Sequence, residues 1–171
     1  PLPPHQRHLE LRRAYLGPAG GDAFWEGEML LRQIFDSYGG DPQSEYVMRH
    51  ADLERICRRR RENYAALLAG LPGETRGFRP VFPTLPEGTV PCNFTVYANI
   101  RDHFQAYLAG HGIRSSTFWP LGPLVSLEGC PDEQYIYEHV ISIPCDQRLD
   151  GEDMAYTASV LSAYEPPRCG G

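Results

Sequence analysis

Lysine is absent from this chain: all 16 of its basic residues are arginine. Any mechanism that needs a lysine amine as Schiff base, nucleophile or general base is therefore excluded within these 171 residues. No stretch approaches the roughly eighteen consecutive apolar residues of a membrane-spanning helix, so no membrane partner is expected. A basic excess is also missing. Against 22 acidic residues the formal charge is −6, which argues against nucleic acid as a partner. The five cysteines, Cys57, Cys92, Cys130, Cys145 and Cys169, are odd in number, widely spaced and free of any C-x-x-C pair. They suggest no zinc site and favour a reduced, cytoplasmic setting. No G-x-G-x-x-G, G-x-x-x-x-G-K-[ST] or G-x-S-x-G motif is present, which removes the glycine-rich phosphate cradles and the hydrolase elbow. The start at Pro1 has neither a signal peptide nor an initiator methionine and reads as a piece of something longer, or a trimmed product. What is present, 42% hydrophobic and 11% aromatic residues, suffices for one domain with a proper core.

Residues 1–40 read as broken helix, with Asp22 as a cap for a segment carrying Phe24, Trp25, Met29, Leu30, Ile34 and Phe35. A long helix is expected from an N-cap at Ser44 to Leu71, because Tyr46, Leu53, Cys57, Tyr64, Leu68 and Leu71 recur at helical spacing. Prolines 72, 80, 83, 86 and 91 then break the chain into a linker with an extended piece at 78–82. Cys92, Phe94, Val96 and Ala98 alternate with polar neighbours, the period of a half-buried strand. Asn99 would cap a helix bearing Phe104, Tyr107 and Leu108; strands are expected at 113–119 and, from their density of β-formers, at 135–143. A last helix starts at an Asp150 cap and carries Met154, Ala158, Leu161 and Tyr164. This order predicts an α+β fold, a small mainly antiparallel sheet with helices packed on one face. The division is residues 1–71, an N-terminal helical segment, and 72–171, the α+β domain, the two forming one structural unit.

Few residues carry chemistry by pattern alone. Arg58 to Arg61 invite a phosphate-binding reading, but four successive helical residues spread about 300° around the axis and Asp52, Glu54 and Glu62 lie nearby. A solvated or salt-bridged helix face is the expectation. His5-x-x-His8 has ligand spacing without a third ligand, so no metal is expected. Cys145 has its nearest upstream histidine, His139, six residues away, about 20 Å along an extended strand, too far for a thiol–imidazole pair. It reads as a small buried residue.

The stretch His139-Val-Ile-Ser-Ile-Pro-Cys-Asp-Gln-Arg-Leu-Asp-Gly-Glu-Asp-Met154 resembles the closing strand, turn and final helix of the DegT/DnrJ/EryC1/StrS group of pyridoxal-phosphate aminotransferases, with its "lSiPcDqRy…eDm" segment. Three other segments agree in order. Residues 56–71 resemble the "R-R-x-N-Y-x-x-L" helix, Val90 to Asn99 with Arg101-Asp102 resembles "P-x-x-F-x-V…R-D", and Gly110 to Pro120 resembles "x-x-G-I-x-x-x-x-W/Y-P". Together they cover roughly residues 44–165.

The resemblance implies the C-terminal small domain of a fold-type I enzyme that closes over the cofactor and substrate cleft and is not catalytic alone. Pyridoxal phosphate is implied for the complete enzyme, with a large domain holding the cofactor and its lysine, a second subunit, and amino transfer to a keto sugar nucleotide. The group's cofactor-phosphate asparagine, from "G-x-N-x-R-M", has no counterpart between Gly39 and Met48; Ser44 is the nearest polar residue and the cofactor-binding candidate. Where many sugar aminotransferases have a histidine after "Y-P", this chain reads Trp119-Pro-Leu-Gly-Pro. Trp119 and Arg148 are the substrate-binding candidates. Against these roles stand an N-cap for Ser44, a core aromatic for Trp119, and for Arg148 a turn residue paired with Asp150 or Asp153. The alternative to the whole reading is a stand-alone, non-catalytic protein-interaction module derived from the same domain.

Overall fold

The computed structural model describes residues 4–16, 22–37, 42–117 and 125–167. It divides into two compact units, Pro1–Ala51 and Asp52–Gly171. In the first, α1 (Pro4–Leu16) and α2 (Ala23–Ile34) pair, followed by a 3-10 turn at Phe35–Ser37 and α3 (Pro42–His50). The α1–α2 contact closes on Gly27, which is buried: a Cβ there would stand 3.5 Å from that of Leu11. His8 Nδ1 lies 3.1 Å from the Gly27 carbonyl, a structural use for one of the two histidines with ligand spacing.

The second unit opens with α4 (Leu53–Gly70), then β1 (Phe78–Pro80), β2 (Asn93–Ala98), α5 (Arg101–Gly110), α6 (Pro131–His139), β3 (Val140–Pro144) and α7 (Gly151–Ser162). The strands form an antiparallel sheet in the order β1-β2-β3, with Phe78 opposite Ala98 and Phe94 opposite Ile143. Alternation settles which face is inside. Phe94, Val96 and Ala98 of β2 and Ile141 and Ile143 of β3 are buried, as period-2 pleating requires. They share a core with Tyr64 and Leu67 of α4, Phe104 and Leu108 of α5, and Met154, Ala158 and Leu161 of α7. The α+β expectation of helices packed on a small antiparallel sheet holds. On the outward side Tyr97 meets Tyr135 of α6 at 5.4 Å between ring centroids, with the Arg79 guanidinium 4.7 Å above Tyr97. Among the described residues no helix is long and apolar enough to cross a membrane.

Several boundaries differ from the sequence reading for local reasons. The helix expected from Ser44 to Leu71 is two helices. The Asp52 carboxylate accepts the Arg55 amide at 2.8 Å and starts α4 anew, an example of a side chain competing with helix continuation. Division after Ala51 places α4 with the sheet, whereas division after Leu71 grouped it with the N-terminal helices. Cys92 is exposed and precedes β2 instead of joining its inward row. Asn99 does not cap α5: the N-cap position is Ile100, without a side-chain cap, and the Asn99 amide donates to the Gly77 carbonyl. The strand expected over 113–119 is, among the described residues, an isolated bridge between Ser116 and Ser142. The strand expected over 135–143 is helical as far as His139. Pro131 at the first helical turn, Asp132 and Glu133 beside it, and a Gln134–Glu138 side-chain bond favour the helix over the β-propensity of Tyr135, Ile136 and Tyr137. His139 ends that helix, its ring donating from Nδ1 to the Ala98 carbonyl at 2.7 Å.

Helices α4 and α7 cross at Gly70, where an added Cβ would lie 2.6 Å from the Ala158 Cβ. Glycine to alanine within a helix ordinarily stabilises by roughly 0.5–1 kcal/mol. Here Gly70→Ala is expected to destabilise by about 1–3 kcal/mol through overpacking, and Ala158→Gly added to it should recover part of that loss. Urea unfolding of the two variants and the double variant tests this; a stabilised single variant would show that the helices separate at no cost.

Candidate functional site

The turn after β3 is where chemistry-bearing residues converge, and α4 positions it. Asn63, only 2% exposed, spends its amide Nδ2 on three carbonyls of that turn: Asp146 at 2.9 Å, Leu149 at 3.1 Å and Cys145 at 3.3 Å. One turn from Asn63, Arg60 donates from Nε to Gln147 Oε1 at 2.7 Å and from Nη1 to the Pro91 carbonyl. Arg61 donates to the Thr89 and Gly88 carbonyls, both at 2.9 Å. Two of the four consecutive arginines thus tie the loop before β2 and the turn after β3 to α4. Arg58 lies 3.8 Å from Glu62, an exposed pair. These are structural tasks, and they fit the salt-bridged helix face expected from sequence.

The end of the turn is fixed by α7. Asp150 accepts the amides of Glu152 and Asp153, while Asp153 Oδ2 accepts the Asp150 amide, a reciprocal capping box. With both carboxylates so used, Arg148 takes a different partner from the Asp150 or Asp153 expected. Its Nε and Nη2 donate to the two carboxylate oxygens of Asp146 at 2.8 and 2.7 Å. The bidentate pair is asymmetric, since the Arg148 side chain is 80% exposed and that of Asp146 only 13%.

The Arg148 hydrogen bonds outweigh partial burial and hold the Asp146 carboxyl down at about 2. A depressed carboxylate adds stability that is fully present above its unfolded value near 3.8 and is lost as pH falls through the folded value. Stability of the second unit is therefore expected to fall between about pH 4 and pH 2, and Asp146→Asn should remove its part of that acid limb. Acid titration of the unfolding midpoint checks this; an acid limb of equal size in the variant would contradict it. Next to Asp146, burial pushes the Cys145 thiol up to about 12 despite the opposing Arg60 charge. Cys145 is thus an inert core residue, as its distance from a histidine suggested.

Around the turn lies a cavity of about 550 Å³ lined by Gly112, Ile113, Arg114, Pro144, Asp146, Arg148, Leu149, Asp153, Tyr156 and Thr157. Of the sequence candidates that lie among the described residues, Arg148 belongs to it and Ser44 does not. Ser44 is exposed and is the third residue of α3, in the other unit, so it is not the N-cap expected. Trp119 lies outside the described residues. Sequence reasoning missed Asn63, whose partners are more than eighty residues away in the chain. The available signal was its place in the N-Y pair of the helix motif, two motifs that turn out to touch.

Pyridoxal phosphate requires an amine to attach to and a phosphate cradle. This chain offers no lysine, and the left-handed glycines of the described residues, Gly77, Gly88, Gly112 and Gly129, are isolated and build no glycine-rich loop. The donor set of the described residues does not fit the cofactor by itself.

No family model matches the sequence, and no curated protein matches it. Solved structures do. DesV from S. venezuelae, solved in complex with a ketimine intermediate, aligns at 26% identity and TM-score 0.59, over 67% of this chain and 33% of that one. The aminotransferase TlmJ from Streptoalloteichus hindustanus aligns at 25% identity and TM-score 0.54, over 65% of this chain and 33% of that one. A sugar aminotransferase from Micromonospora echinospora shares the fold at 18% identity and TM-score 0.56, over 66% and 31%. The chain spans about a third of the length of these structures. The resemblance carried by residues 139–154 therefore extends to three dimensions: over two thirds of its length this chain has the fold of part of an aminotransferase.

Proposed function

We propose that this chain is the small-domain portion of a pyridoxal-phosphate-dependent aminotransferase-like protein, closing over a cofactor and substrate cleft and not catalytic by itself. The observation that carries the reading is the alignment to DesV, two thirds of this chain on one third of that one. The absence of lysine supports the second half: the amine that must hold the cofactor belongs to another segment or subunit. The partners are a large cofactor-binding domain and a second subunit, and the cytoplasm, where thiols such as Cys57, Cys92, Cys130 and Cys145 stay reduced, is the setting that suits it.

In this role the second unit supplies a rigid edge. Asn63 and the capping box of α7 fix the turn at 145–150, so Arg148 is presented with Nη1 left over for a substrate oxygen while Asp146 occupies Nε and Nη2. The resemblance further implies a substrate contact for Trp119 and a cofactor-phosphate contact for Ser44. Closure of such an edge excludes water and strengthens the polar contacts inside. Amide hydrogen exchange on the product of the complete gene, with and without pyridoxal phosphate and an amino donor, tests the closing role. Slower exchange over 112–117 and 144–157 is expected with both ligands present, and unchanged exchange there would overturn it.

A further inference from the structure

The sheet brings two cysteines face to face. The ladder between β2 and β3 ends with Asn93 opposite Pro144, so the next residues outward, Cys92 and Cys145, stand across from one another. Alternation puts both on the side of the sheet that carries Phe94 and Ile143. Opposite residues of antiparallel strands lie about 4.5–5.5 Å apart between Cα atoms. A disulfide spans about 4.4–6.8 Å. The cross-strand spacing thus meets the requirement for a bond, and both thiols are free. Neither Cys57, within α4, nor Cys130, at the N-cap of α6, lies on a strand.

The two sulfurs differ in what reaches them. Cys92 is exposed, and Arg60 stands beside it with Nη1 3.6 Å from Sγ. An accessible thiol next to a guanidinium is open to reagents that carry carboxylates. Cys145 is fully buried, and its carbonyl is held by Asn63 at 3.3 Å. Burial raises its thiol, the Arg60 charge opposes that rise, and Asp146 and Cys92 add to it. The same electrostatics keep Cys92, Arg60 and Cys145 within reach of one another. Inert toward anything in solution, Cys145 can meet a sulfur presented from across the ladder.

We propose that Cys92 and Cys145 are a modification site, closing to a reversible disulfide when a low-molecular-weight disulfide such as oxidised glutathione is the oxidant. The Cys92 thiolate attacks one sulfur of the reagent, whose S–S bond breaks, and the other half leaves as a thiolate that takes up the Cys92 proton. The Cys145 sulfur then attacks Cys92 Sγ, and the second half of the reagent leaves with the Cys145 proton. Two protein thiols are oxidised to one disulfide, and the reagent is reduced to two thiols. The new bond joins the loop before β2 to the turn after β3, segments that Arg60 already links through Pro91 and Gln147. The proposal uses only the second unit and does not depend on the aminotransferase reading.

The test is incubation of the fully reduced 171-residue chain with excess oxidised glutathione, an acid quench, and peptide mapping without reduction. Cleavage after glutamate is used because Glu133 and Glu138 separate Cys130 from Cys145. A product lighter by two hydrogens, without retained glutathione and with Cys92 linked to Cys145, is expected, and dithiothreitol should reverse it. Cys145→Ala should instead accumulate glutathione on Cys92, because the second step has lost its sulfur. Cys92→Ala should leave Cys145 unmodified, and Cys130→Ser should close the same bond at the parent's rate. Glutathione retained on Cys92 of the parent, linkage of Cys92 to a different cysteine, or no loss of thiols would overturn the proposal. So would a Cys92–Cys145 yield no higher under native conditions than in concentrated urea. If Cys145→Ala does not fold, the maps of the parent and Cys130→Ser decide alone.

Discussion

Tyr164→Ala is expected to destabilise the second unit by about 3–5 kcal/mol, the range for removing a fully packed aromatic. Tyr164 follows α7 and is 2% exposed. Its ring lies 4.6 Å from that of Phe104, 5.1 Å from Tyr107, 5.8 Å from His103 and 6.4 Å from Phe78. It therefore joins β1, α5 and the end of α7 in one aromatic cluster, in edge and tilted geometries that add to area burial. Gly77 depends on it too, since a Cβ there would stand 3.0 Å from the Tyr164 ring and 2.9 Å from Pro166, at a φ of 71°. The hydroxyl is the lesser part. It meets His103 Nδ1 at 3.0 Å, so Tyr164→Phe should cost only about 1 kcal/mol. Denaturant unfolding of both variants separates the ring from the hydroxyl; equal losses would mean that the hydrogen bond, not the packing, holds the cluster.

Asn63→Asp is expected to cost about 3–5 kcal/mol at neutral pH, although it changes neither shape nor volume. The side chain would turn from a donor into a buried carboxylate facing the carbonyls of Cys145, Asp146 and Leu149. Burial and those three acceptors would raise the new carboxyl above its unfolded value. The linkage sign then follows. A raised acid binds its proton more tightly in the folded chain, so the penalty is small below the unfolded value near 4 and grows as pH rises above it. The variant should be closest to the parent in mild acid and furthest from it at neutral pH, a trend opposite in sign to that of Asp146. A pH-independent loss would show that Asn63 acts through packing alone.

How much of this was legible in the sequence depends on how local each cause is. The β2 alternation at Phe94, Val96 and Ala98 and the Asp150–Asp153 box follow from spacing within one element, and the structure has both. The α6 segment misleads because β-propensity describes how a side chain fits a pleated surface. Tyr135, Ile136 and Tyr137 instead sit on a helix started by Pro131 and an acidic first turn, none of whose residues is buried. The break at Asp52 is equally local, but heptad-like apolar spacing across it hides the cap. At the candidate site, Arg148 could be singled out from its motif, yet its partner could not: Asp146, Asp150 and Asp153 are all within reach by spacing. The choice falls to Asp146 because the other two carboxylates are taken by the amides of the capping box, Asp150 by those of Glu152 and Asp153, and Asp153 by that of Asp150. Asn63 is invisible to pattern reading. It matters through carbonyl partners that only folding brings into range.

These 171 residues contain no lysine, so the proposed role requires a cofactor-holding amine outside them. Borohydride reduction of the complete gene product after incubation with pyridoxal phosphate, followed by peptide mapping, tests it directly. One pyridoxyl-lysine peptide from a segment other than this chain is the expected result. A complete product that forms no pyridoxyl-lysine at all would contradict the account.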